Sequence, residues 1–144
     1  MNVKVILLCV VLFVVGMGCL RVLRSLPQTY VSESRIQGDG LFANQRFKQG
    51  DIILDDIFPY RTPDMILRDK VSPTVFQDII SYEGSKINHC STQMNSTVVS
   101  DDFRKLQLVA TQDILPDDEI TANYNTVHKQ FPFIAKAGKS YTSC

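Results

Sequence analysis

Hydrophobic and polar positions divide this chain into two regimes. Residues 5–15 are an unbroken apolar run, which reaches Leu20 with only glycines, a methionine and a cysteine added. A run with no polar face does not suit a helix lying against a soluble core. As a helix, residues 5–20 would span roughly 24 Å, a little short of a hydrocarbon core of about 30 Å. Val3, Val22, Leu23 and Leu26 can extend it, with Lys4 and Arg21 reaching toward the headgroups. Beyond Pro27 the pattern changes to short segments of period two, broken by turn residues. Residues 103–111 alternate most clearly. Phe103, Lys105, Gln107 and Val109 fall on one side, and Arg104, Leu106, Leu108 and Ala110 on the other. Residues 29–36, 41–43, 52–54, 96–100 and 119–122 read as further strands. Gly38-Asp39-Gly40, Lys48-Gln49-Gly50-Asp51 and Pro116-Asp117-Asp118 read as turns between them. Short helices are expected at 64–68 and 73–81, the second with Ser72 as its N-cap and Pro73 in its first position.

Many short strands and little helix predict a mostly β domain over residues 27–144, preceded by an apolar helix within residues 1–26. The 144 residues suffice for one domain with a real core. Strands do not alternate with helices, so a doubly wound nucleotide-binding fold is excluded.

Charge changes the picture in one respect. The formal net charge is zero, but Lys4, Arg21 and Arg24 belong to the apolar segment. Without them, twelve basic residues face fifteen acidic ones, a net charge of −3 on the domain. That is no footprint for nucleic acid, and it is compatible with a basic peptide partner. Cys9, Cys19, Cys90 and Cys144 contain no CxxC pair, so no metal site is expected. Cys90 and Cys144 are expected to be reduced thiols.

The apolar segment admits three fates: a single-pass anchor, a signal peptide cleaved after Gly18, or lipidation of Cys19. The anchor is the leading expectation, with the domain facing the cytosol. Lumenal or secreted placement is the alternative, and Asn95-Ser96-Thr97 would then be a glycosylation sequon. The flanking charges do not decide the orientation, and the oligomeric state is not legible.

Three blocks carry candidate chemistry: Gly38-Asp39-Gly40-Leu41-Phe42-Ala43, Asn88-His89-Cys90, and Glu119-Ile120-Thr121-Ala122-Asn123-Tyr124. Alone, each has a plain reading: a hairpin turn, a polar turn, and an aromatic at a strand end. In this order they resemble the signature blocks of the SET domain family, across residues 30–124 and in the compact form seen in viral members. The resemblance implies a β-clip fold of short sheets and few short helices, with a C-terminal pseudoknot. It implies S-adenosylmethionine as cofactor, a protein or peptide lysine as substrate, and methyl transfer to the lysine amine. Gly38, Asp39 and Gly40 would meet the methionine part of the cofactor, and Asn88 and His89 would lie near its adenine. Tyr124 would be both cofactor-binding and catalytic. Asn95 matches a second asparagine of the middle block. Ala122 stands where the family often has Phe or Tyr, which leaves room for Tyr82 or Phe133 to supply bulk. The alternative function is a non-catalytic, membrane-anchored or secreted binding module that keeps the fold.

The tyrosine suits the chemistry. In-line displacement at a sulfonium methyl needs the amine nitrogen, methyl carbon and sulfur aligned, and needs the amine neutral. A narrow apolar channel lowers a lysine pKa by desolvation, and a phenol orients the amine without competing as a nucleophile.

Overall fold

The computed structural model describes residues 27–59, 80–100, 105–130 and 144. Its described strands are β1 (Thr29–Glu33), β2 (Asp39–Ala43), β3 (Ile52–Leu54), β4 (Asn88–His89), β5 (Ser96–Val99), β6 (Gln107–Ala110) and β7 (Glu119–Ala122). A 3-10 turn, η1 (Gly84–Lys86), precedes β4, and one helix, α1 (Tyr124–Gln130), follows β7. The domain is mostly β, as the pattern predicts. The apolar segment, the helix expected at 64–68 and residues 73–79 of the helix expected at 73–81 lie outside the described residues. Residues 80 and 81 are described and are not helical. Among the described residues, no helix is long and apolar enough to cross a membrane.

The strands run β1-β2-β7-β5-β6-β3, with β4 also on β7. β1 and β2 form an antiparallel hairpin in which Thr29 faces Ala43 and Glu33 faces Asp39. The expected first strand ends three residues early because Ser34 starts a turn. Its amide donates to the Gly38 carbonyl at 2.7 Å, and its hydroxyl accepts from the amides of Ile36 and Gln37. Gly38 closes that turn at φ +52°, a conformation that favours glycine.

β7 is the hinge of the topology. It is antiparallel to β2, with Leu41 opposite Ile120, and parallel to β4, with His89 opposite Ala122. It also pairs in parallel with β5 through Ser96 and Ala122. Segment 88–96 therefore wraps the last strand, the described part of the knotted topology that the SET resemblance implies. Asn95 completes the wrap. Its Nδ2 donates to the Glu119 carbonyl at 2.8 Å, and its Oδ1 accepts from the Thr121 amide at 2.9 Å. The side chain thus acts as a short stretch of strand beside β7. It is 8% exposed, and its Nδ2 is engaged within the fold.

The core follows the alternation. Leu106, Leu108 and Ala110 are buried, and they meet Leu41, Ala43, Phe47, Ile53, Phe58, Ile114 and Ile120. The bridge between Phe47 and Ile114 joins the two turn regions, and the Arg46–Asp113 ion pair at 2.6 Å lies beside it. Asp117, at φ +69°, makes the turn into β7, and its amide donates to the Ala43 carbonyl.

One sequence expectation is corrected. Cys90 and Cys144 are joined as a disulfide, with Cα atoms 5.0 Å apart, rather than standing as two reduced thiols. Spacing along the chain could not reveal the pairing, since 54 residues separate the cysteines and the fold brings them together. The Thr92 hydroxyl donates to the Cys144 carbonyl at 3.2 Å and ties the same end to the 90–92 turn.

Candidate active site

The residues singled out by sequence converge around β7. The turn before β2 contributes Gly38, and the start of β2 contributes Asp39 and Gly40. β4 contributes Asn88 and His89, and the start of α1 contributes Tyr124. Hydrogen bonds link the three groups.

Asn88 joins β4 to the glycine turn. Its Nδ2 lies 3.1 Å from the Gln37 carbonyl, 3.3 Å from the Asp39 carbonyl and 2.8 Å from Glu119 Oε1. One side chain thus touches two turn carbonyls and the carboxylate opposite. Asp39 forms an ion pair with Lys86 at 2.8 Å, and that hydrogen bond raises the Lys86 pKa above its ordinary value. The Lys86 ammonium also lies 5.3 Å from the centre of the Tyr82 ring.

His89 joins β4 to the end of β7. It is 8% exposed, and its Nδ1 accepts from the Tyr124 amide at 3.0 Å. The two rings lie 5.2 Å apart at 49°. Tyr124 is not at a strand end but in the first position of a helix. Asn123 is its N-cap: Oδ1 accepts from the Asn125 amide at 3.0 Å, and the Asn123 carbonyl accepts from Thr126 and Val127. The Tyr124 hydroxyl donates to the Ile87 carbonyl. A phenol has one hydrogen to donate and two lone pairs to accept with. Turned toward Ile87, this hydroxyl can offer a substrate only acceptor lone pairs.

Sequence reasoning did not mark Glu119 as a site residue, although it lies inside the strongest block. Its Oε1 accepts from Ser34 Oγ at 2.7 Å and from Asn88. A charged residue opening a strand reads as a solvated face, and no local signal says that Ser34 and Asn88 converge on it. Ala122 is buried at 2% exposure. Tyr82 is 63% exposed and does not supply buried bulk, and Phe133 lies outside the described residues.

The SET domain family profile matches residues 38–125, more than half of the chain, and spans all three blocks. The chain belongs to the SET domain family. Members of this family are in general protein-lysine methyltransferases that use S-adenosylmethionine. Among solved structures, a crystal structure of a Plasmodium falciparum protein assigned as a histone methyltransferase is similar at a TM-score of 0.43. It shares 21% identity, over 69% of this chain and 94% of that one. No curated protein matches the chain.

The site has features that suit the family's cofactor. A Cβ placed on Gly38 would meet nothing within 4 Å, so the backbone of the turn is open to a ligand on that side. The Asp39 carboxylate and Lys86 ammonium stand at the same turn, with side-chain exposures of 54% and 24%. Among the described residues, no cluster of three or more His, Cys, Asp or Glu could hold a metal.

Proposed function

We propose that this chain transfers a methyl group from S-adenosylmethionine to the side-chain amine of a protein lysine. The observation that carries the reading is the linkage of the three blocks: Asn88 bonded to the turn carbonyls of Gln37 and Asp39, and His89 bonded to Tyr124. Residues far apart in sequence, with the types this chemistry needs, share one hydrogen-bonded cluster.

When bound, the cofactor would supply an electrophilic methyl on a sulfonium. The turn at Gly38, Asp39 and Gly40 would hold its methionine part, and Asn88 and His89 would border the rest. Tyr124 would receive the lysine. Its oxygen, with the hydrogen turned toward Ile87, would accept an N–H of the neutral amine and so direct the nitrogen lone pair. Burial of the lysine stem would favour loss of the ammonium proton before transfer. The substrate is a protein or peptide lysine. The net negative charge of the domain would favour basic sequences around it.

A peptide library incubated with the full chain and isotopically labelled cofactor tests the reaction. Label is expected on lysine peptides and not on their arginine counterparts. Absence of label on every peptide would leave the non-catalytic binding module as the better account.

Residues 1–26 would anchor the protein to a membrane, with residues 27–144 as the enzymatic domain. The Cys90–Cys144 disulfide favours the oxidising side of that membrane over the cytosol, because cytosolic thiols are kept reduced. Trapping thiols with an alkylating reagent in intact cells checks this placement. Cys90 and Cys144 should resist labelling until a reductant is added, whereas prompt labelling would return the domain to the cytosol.

A further inference from the structure

Gly40 and Glu119 meet across the β2–β7 pairing. A Cβ built on Gly40 would lie 2.4 Å from Glu119 Oε1, 2.9 Å from its Cδ and 3.0 Å from the Ser34 Cβ. A side chain at position 40 would force the Glu119 carboxylate to move, and that movement would break its bonds to Ser34 and Asn88. The carboxylate in turn receives the Ser34 hydroxyl and the Asn88 amide. Each partner reaches the turn. Ser34 Oγ accepts from the Ile36 and Gln37 amides, and Asn88 Nδ2 meets the Gln37 and Asp39 carbonyls. The Glu119 backbone is itself fixed, since its carbonyl accepts from Asn95 Nδ2.

We propose that Glu119 is a positioning residue, which through Ser34 and Asn88 holds residues 36–40 in the conformation that receives the cofactor. This rests on the proposed function. Hydrogen bonds to an ionised carboxylate are stronger than neutral ones. A turn already held in its bound geometry loses less conformational freedom when the ligand arrives. Glycine at position 40 therefore serves Glu119, whereas Gly38 leaves its own side open to the ligand.

The test is a double-mutant cycle read by calorimetric titration of the full chain with S-adenosylmethionine. Near-UV circular dichroism confirms the fold of each variant. Glu119→Ala and Gly40→Ala should each weaken cofactor binding by about tenfold or more, while the KM for a lysine peptide changes by less than about twofold. The two losses should not add. With Glu119 removed, the contacts under 3.0 Å are gone and the Ser34 Cβ stays at 3.0 Å, so the double variant should bind within about threefold of Glu119→Ala alone. Full additivity would overturn the proposal, because Gly40 would then act on the cofactor directly. Wild-type affinity in a folded Glu119→Ala variant would overturn it as well. If Glu119→Ala does not fold, Ser34→Ala replaces it. That variant must weaken cofactor binding by about threefold or more, and unchanged affinity would overturn the relay. A wild-type chain that binds no cofactor would remove the proposed function and the positioning role together. A wild-type chain that binds, with variants that bind equally, would remove only the role of Glu119.

Discussion

At the residue scale, Tyr124 carries two bonds that separate its structural and chemical roles. Its amide goes to His89 Nδ1 and its hydroxyl to the Ile87 carbonyl. Tyr124→Phe keeps the first and loses the second. Turnover should fall by about 10²–10³, as when one donor or acceptor aimed at a transition state is removed. The carbonyl of buried Ile87 loses a partner, which should lower stability by roughly 1 kcal/mol. Cofactor affinity should stay near wild type. Steady-state kinetics and thermal melts of the same preparation separate these effects, and wild-type turnover would make Tyr124 structural only. The three blocks that hold Gly38, Asn88, His89 and Tyr124 are legible as the family's pattern because each has a fixed local spacing. Glu119 is not. Its partners lie 85 and 31 residues away, and only the folded sheet brings them together.

Among the elements, β6 was the most legible strand, since the alternation of Leu106, Leu108 and Ala110 reports their burial directly. β4 was missed because two residues carry no period. The helix α1 was missed because its start, Asn123-Tyr124, reads equally as the end of β7. The parallel pairing of β4 and β5 with β7 was beyond any periodicity, because strand order leaves no mark on local pattern. Asn95 holds that pairing. Asn95→Ala removes the bonds to the Glu119 carbonyl and the Thr121 amide, and leaves both backbone groups without them in a region that is largely buried. The loss should be about 1–3 kcal/mol, and equilibrium denaturation would measure it. A variant as stable as wild type would show that the wrap around β7 is held by backbone pairing alone.

At the scale of the whole molecule, surface ion pairs contribute to the acid response. The Asp55 carboxyl is held below the usual carboxylate range, first by the hydrogen bond from Lys105 and then by that from Gln107. Asp113 is held below it by Arg46, with the Gln49 amide adding to the effect. For groups lowered on folding, the stabilisation is full above the unfolded pKa of about 3.9 and is lost as pH falls through the lower folded value. Melting temperature should therefore fall with acid below about pH 4, and an Asp113→Asn variant should show a shallower fall. Both carboxylates are exposed, so the effect is small and screened by salt. An acid limb identical in wild type and variant would contradict the assignment.

The central claim is that the residues gathered around β7 form a cofactor site, and calorimetric titration of the full chain with S-adenosylmethionine tests it most directly. Saturable one-to-one binding is expected, with affinity reduced in Asn88→Ala and nearly unchanged in Tyr124→Phe. No heat and no thermal stabilisation at millimolar cofactor, from a chain shown to be folded, would contradict the account.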